Sequence, residues 1–204
     1  MRKPPEIILA SRSPRRQRML TELGLQFDVF TADIDETVRE GQRPAEYVTR
    51  LAGEKALAAA VALTQPMDNP QSKVRDSRPI LAADTAVALG ETIFGKPANK
   101  ADAFRIWSAL SATTHHVYTG LALLVGDDFQ LRCVTTKIVY GSMNEREMTE
   151  YWETGEPQDK AGAYAVQGLG SAFVKEVRGS YSNVVGLPLF ELRELLKANG
   201  WDWI

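Results

Sequence analysis

The sequence predicts an α/β fold built on a mixed sheet. Three observations lead there. Short apolar runs alternate with helix-period stripes along the chain. Two β-rich runs, 116–125 and 131–140, flank Gly126-Asp127-Asp128, a hairpin signal. No internal repeat, heptad run or low-complexity tract interrupts the pattern.

Each element has its own reason. Ile7 to Ala10 is a continuous apolar run, the mark of a strand buried on both faces. Ser13-Pro14 reads as an N-cap followed by proline at the first helical position. Met19, Leu20 and Leu23 continue that helix as an apolar stripe, and Gly24 ends it. Phe27 to Phe30 alternates as a second strand, and the polar stretch 31–43 reads as a loop. Pro44 opens an alanine-rich helix through Leu63. Residues 65–78 hold little to bury and read as a surface loop. Pro79 to Leu89 is strand, 90–97 a turn or hairpin, and Ala101 to Leu110 a helix with Trp107 inward. Asn144 to Thr154 is an acidic helix, Phe173 to Val177 a strand, and Pro188 to Asn199 a closing amphipathic helix. No linker divides residues 1–204, so one domain is expected.

Composition narrows the function classes. The 204 residues carry 24 Lys+Arg against 26 Asp+Glu, a formal charge of -2, which speaks against a basic binder of nucleic-acid polymers. The lone Cys133 cannot form an internal disulfide or a cysteine metal site, so a reducing compartment is the default. No apolar stretch reaches the roughly 18 residues that span a bilayer, and no secretory signal opens the chain. A soluble, cytoplasmic protein is expected.

The chemistry concentrates in a few places. Ser11-Arg12-Ser13-Pro14-Arg15-Arg16 lies between a buried strand and a helix N-terminus, where free N–H groups and the helix dipole attract phosphate. Basic residues disfavour an ordinary solvated first turn there, because a helix N-terminus prefers acids. No Walker A loop or dinucleotide fingerprint occurs. Asp84 ends an apolar strand, where a charge is costly unless paired or metal-bound. It reads as a turn cap, a general base or a metal ligand. Lys55 sits in a small apolar helix and Lys96 beside Pro97; surface placement is the commoner fate of lysine. Asp33, Asp35 and Glu36 form a loop acid cluster, of a kind usually just solvated.

The ordered set Ser11 to Arg16, Glu54-Lys55-Ala56, Ala83-Asp84-Thr85, Gly95-Lys96-Pro97, Asp159 to Tyr164, Gln167-Gly168-Leu169-Gly170 and Gly186-Leu187-Pro188 closely resembles the Maf family of nucleoside triphosphate pyrophosphatases. The resemblance spans roughly residues 6–200. It implies the inosine-triphosphatase-like (Maf/Ham1) fold: an elongated mixed sheet, flanking helices and a nucleotide cleft between two lobes. It implies hydrolysis of a triphosphate at the α-phosphorus, with Mg2+ or Mn2+. Asp84 matches the proton-acceptor position, and Glu36 an acidic position that helps hold the metal beside Asp84. Ser11, Ser13, Arg15, Arg16, Lys55 and Lys96 match phosphate-contact positions. Arg12 departs from the family pattern, standing where a small residue is common. Related proteins are often homodimers.

Gln167 marks the subfamily. A relative preferring 7-methyl-GTP resembles Ser-Glu-Gly-Leu-Gly at this place, and a carboxylate suits guanine's two adjacent donors. A glutamine amide can both accept from the N3–H and donate to a carbonyl of uracil or thymine. Gln167, with Arg15 and Thr85 at companion specificity positions, implies dTTP and UTP. The rival readings are the 7-methyl-GTP branch and a nucleotide-binding regulator of cell division.

Other residues read as structural. His115 and His116 point to opposite strand faces and make poor co-ligands. Cys133 reads as a buried small hydrophobe, Trp107, Trp152, Trp201 and Trp203 as packing residues, and 179–183 as a polar turn before an apolar strand.

Overall fold

The computed structural model describes residues 3–31, 33–64 and 77–202. Apart from Ser77 and Arg78, the loop expected over 65–78 lies outside the described residues, as does Trp203. Among the described residues the strands are β1 (Ile7–Leu9), β2 (Phe27–Val29), β3 (Ile80–Leu89), β4 (Thr92–Phe94), β5 (Thr114–Val125), β6 (Asp128–Tyr140) and β7 (Val174–Arg178). The helices are α1 (Pro14–Glu22), α2 (Pro44–Thr64), α3 (Lys100–Leu110), α4 (Glu145–Glu153), α5 (Tyr181–Val185) and α6 (Leu189–Ala198). The sheet order is β2-β1-β3-β5-β6-β7, with β4 paired to β3. β1 is parallel to β2 and β3; the remaining pairs are antiparallel. The expected mixed sheet and its central hairpin are present, with Val125 paired to Asp128 across the turn.

Side-chain alternation sorts the core. Ile8, Ala10, Ile80, Ala82 and Ala122 face α2 and pack on its Ala52, Ala56 and Ala59. The opposite face is two clusters. Ile7, Leu9, Leu81, Leu121 and Leu123 pack against α1 and α6. Val87, Val117, Ile138 and Tyr140 pack against α3 and α4, around a fully buried Trp107. Small residues let α2 lie close. A Cβ on Gly120 would collide with the Val48 carbonyl of α2, so only glycine fits that position.

The pairing of β3 opens the site. β5 covers one edge of β3 from Ile80 to Ala88. The other edge is shared: β1 takes Ile80 and Leu81, and β4 takes Val87 to Leu89. Among the described residues no strand pairs 82–86 on that side, and Asp84 and Thr85 sit in the gap. Alternation then sends Asp84 toward α2 and Thr85 toward α1.

Three expectations need correction. Asp84 does not end its strand or cap a turn: β3 runs on to Leu89, and Asp84 lies in its middle, paired with Gly120. The segment after Gly179 is not a strand: Tyr181–Val185 is helix α5, capped by the Ser180 side chain accepting from the Asn183 N–H at 3.2 Å. A short polar segment such as Ser180 to Asn183 starts a helix as readily as it makes a turn, because its side chains can bond the free helical N–H groups. Cys133 is exposed, because it lies on a stretch of β6 whose side chains reach solvent. Ser13 does hold the N-cap position of α1, but its side chain makes no capping bond.

Candidate active site

A cleft of about 750 Å³ opens at the β3 gap. Ser11, Ser13, Arg15, Arg16, Glu36, Lys55, Asp84, Thr85, Lys96 and Gln167 all line it, so the structure brings together every site residue expected from the sequence.

The floor is Asp84. Lys55, midway along α2, reaches down to donate from Nζ to Asp84 Oδ1 at 2.6 Å, and lies 2.7 Å from Glu36 Oε1. Burial pushes the Asp84 carboxyl above its ordinary value, and the Lys55 and Arg16 charges only partly oppose this. Of the loop acids, only Glu36 reaches this centre. Asp33 pairs with Arg12 at 2.9 Å at the exposed rim of the cleft, and the Asp35 carboxylate accepts from the Thr37 N–H at 2.9 Å. Arg12 is therefore tied to the 33–36 loop, a use its place in the motif did not reveal.

One wall is the α1 junction. Its helix has no acid in the first turn, leaving the positive end uncompensated. Arg16 is buried and uses each of its three nitrogens: Nε donates to Gly186 O at 2.7 Å, Nη1 to Ser11 Oγ at 3.0 Å and Nη2 to Thr85 Oγ1 at 3.1 Å. Burial lowers its pKa, with Asp84 opposing. Thr85 also shares a 2.9 Å hydrogen bond with Thr119, whose hydroxyl donates to Asn183 O at 3.1 Å. Arg16 thus locks α1, β3, β5 and the α5–α6 turn into one geometry. Ser11 Oγ further accepts from the Ser13 N–H at 3.3 Å.

The facing wall follows α4. Residues 161–163 form a short 3-10 turn pinned by Trp107, whose indole N–H donates to Ala163 O at 2.8 Å. Gly162 N donates to Gly95 O at 3.0 Å, which seats this wall beside Lys96. Asp159 and Lys160 lie here and were not singled out as site residues, although their motif was noted. Arg15 Nη1 meets Asp159 Oδ2 across the cleft at 3.1 Å, and Lys160 is 2.5 Å from Asp159. Tyr47 is a second omission; it reads as one more apolar position of α2. Its hydroxyl donates to Glu36 O at 3.0 Å, and burial with Asp84 and Glu36 nearby raises its pKa to about 12. Gln167 is exposed at the rim, and among the described residues no side-chain partner engages its amide.

Six cationic side chains (Arg12, Arg15, Arg16, Lys55, Lys96 and Lys160) line a cleft whose base is a buried carboxylate. That arrangement holds a polyanion and can take a proton beside it. Among the described residues no three His, Cys, Asp or Glu side chains converge to hold a metal. Asp84 and Glu36 do converge, both within 2.7 Å of one nitrogen. Two carboxylates completed by substrate phosphate oxygens are an ordinary Mg2+ donor set, so the residues fit.

Comparison with known proteins agrees with this architecture. The chain is 46% identical over 202 residues to a dTTP/UTP pyrophosphatase of Anaeromyxobacter dehalogenans, covering 97% of this chain and 95% of that one. It is 43% identical over 190 residues to a dTTP/UTP pyrophosphatase of Pseudoalteromonas atlantica, covering 93% and 95%. Among solved structures, the Staphylococcus aureus Ham1 protein superposes with a TM-score of 0.54 at 14% identity, over 96% of this chain and 100% of that one, a likeness of fold. The family model described as Maf-like protein matches residues 6–199, and the chain belongs to the Maf family.

Proposed function

We propose that this chain is a nucleoside triphosphate pyrophosphatase that cleaves dTTP and UTP to the monophosphate and pyrophosphate. The observation that carries the reading is the buried Asp84 carboxylate, joined through Lys55 to the exposed Glu36, at the foot of a cation-lined cleft. Relatives that share over 40% of their residues and bear the name dTTP/UTP pyrophosphatase support it.

In this mechanism Asp84 takes a proton from water as the oxygen attacks the α-phosphorus. The bond to the bridging oxygen breaks, and pyrophosphate leaves with its electron pair. Phosphoryl transfer asks the protein mainly to position and to neutralise. Arg15, Lys55 and Lys96 neutralise the phosphate chain, and Ser11 and Ser13 add donors at the helix N-terminus. Arg16 holds the wall rigid, with guanidinium N–H bonds left over to face the cleft. Asp84 and Glu36 would hold a divalent cation, Mg2+ or Mn2+, which when bound supplies charge neutralisation at the phosphate oxygens. Gln167 at the rim, with Thr85 and Arg15, selects the pyrimidine through its amide. The proposal includes a cytoplasmic location, in keeping with nucleotide substrates and a lone cysteine.

The test is pyrophosphate release from a panel of triphosphates in Mg2+ and in Mn2+. UTP and dTTP should be turned over fastest, and Asp84→Asn should cut kcat by about 10²–10³. Undiminished turnover in Asp84→Asn would remove the assignment.

A further inference from the structure

The segment bearing Gln167 has little regular structure between Tyr164 and Gly168. An irregular arch at a cleft rim ought to be loose, since fixing each free backbone residue costs conformational entropy. Here it is gripped at both ends by two linked side chains. The Tyr151 hydroxyl, on α4, accepts from the Ala165 N–H at 3.1 Å and donates its own proton to Glu156 Oε1 at 2.6 Å. The same carboxylate accepts from the Leu169 N–H at 3.0 Å and the Gly170 N–H at 2.9 Å. Ala165 is thus tied to Leu169 and Gly170 through one phenol and one carboxylate, and Val166, Gln167 and Gly168 form the arch between.

The glycines of the arch are shaped by this grip. Gly168 has φ +118°, and a Cβ there would run into the Glu156 carboxylate. A Cβ at Gly170 would run into the Tyr151 hydroxyl and the Ala165 carbonyl oxygen. Burial disfavours the Glu156 charge, but the phenol and two amide donors outweigh it, so the carboxyl stays below its ordinary value as a pure acceptor. Neither Tyr151 nor Glu156 lines the cleft itself.

We propose that Glu156 and Tyr151 are positioning residues for base selection, holding the 165–170 arch so that the Gln167 amide meets the pyrimidine edge already oriented. The proposal rests on the reading that Gln167 recognises the base. Its physical content is preorganisation: the arch is ordered before substrate arrives, so that cost does not fall on binding. Loosening the clamp should therefore weaken discrimination between bases and leave the phosphate chemistry intact.

The experiment compares kcat/KM for UTP and CTP in the natural protein, Gln167→Ala, Glu156→Gln, Tyr151→Phe and the double variant Gln167→Ala/Glu156→Gln, with thermal melts of each. Glu156→Gln keeps the shape but turns one acceptor into a donor facing the amides. Tyr151→Phe removes only the hydroxyl, and it carries the test if Glu156→Gln melts below the assay temperature. The UTP/CTP ratio should fall about tenfold in either variant, the equivalent of one hydrogen bond, through a raised KM for UTP. Turnover of CTP should hold, and Glu156→Gln should add nothing on the Gln167→Ala background. A natural UTP/CTP ratio in Gln167→Ala would overturn the base reading. A lost ratio there with an unchanged ratio in both clamp variants would overturn the clamp. Equal losses toward both nucleotides would make the pair merely structural and overturn it as well.

Discussion

His115 gives the sharpest stability prediction. It is fully buried in β5, its Nε2 within 2.7 Å of the Tyr164 hydroxyl, its Nδ1 without a partner. The Tyr140 and Tyr164 rings flank it at 5.6 and 5.5 Å between centroids. Among the described residues no carboxylate is paired with it, and burial first, then the neighbouring His116, lowers its pKa from 6.5 to about 4. Below pH 6.5 the unfolded chain takes up a proton that the native chain refuses. Native stability is therefore lost as pH falls from about 6.5 to about 4. Those two values make the loss between pH 7 and pH 5 about 2 kcal/mol, roughly 4–8 °C in Tm for a chain of this size. Other groups titrate in the same window, so the comparison must be a difference. Thermal and urea melts at pH 7 and pH 5 should be run on the natural protein and on His115→Phe, which fits among the same rings. The variant gives up the Tyr164 hydrogen bond at neutral pH, about 1 kcal/mol. Its pH-dependent loss should be smaller by about 2 kcal/mol. Parallel losses in the two proteins would refute the claim that this imidazole is held neutral by burial.

Two further outcomes follow from packing. Gly120→Ala places a methyl group against the Val48 carbonyl, and α2 must shift; a loss of about 1–3 kcal/mol in denaturant melts is expected. The same shift carries Lys55 from Asp84, so kcat should fall as well, and an unchanged melt would contradict the contact. Arg16→Lys replaces a three-way planar donor by a point charge and strands Gly186 O, Ser11 Oγ or Thr85 Oγ1. A stability cost of about 1–3 kcal/mol, seen in thermal melts, and a raised KM should appear together; a rise in KM alone would limit Arg16 to substrate contact.

Much of this was legible along the chain because it depends on neighbours in sequence. The apolar run Ile7 to Ala10, the Ser13-Pro14 helix start and the Gly126 turn encode their own local geometry. The resemblance supplied the site set, and the cleft holds all of it. What was missed depends on partners far away. His115 looked like one of a pair of strand-end imidazoles; its Tyr164 partner is 49 positions on. Asp35 and Glu36 are indistinguishable as neighbours, and only the path of the loop over α2 turns Glu36 toward Lys55. Nothing in the residues around Glu156 marks it, yet its carboxylate grips the arch 14 residues later.

The amino-acid order alone settled the class of fold, the succession of elements and the charge of the first loop, because backbone preference and hydrophobic periodicity act over a few residues. Folding in three dimensions decided which acid shares Lys55, which histidine is shut away from water, and where the β3 edge is left open between β1 and β4. Those outcomes turn on burial and on contacts between distant segments, whose strength is set only once water has been excluded from between them.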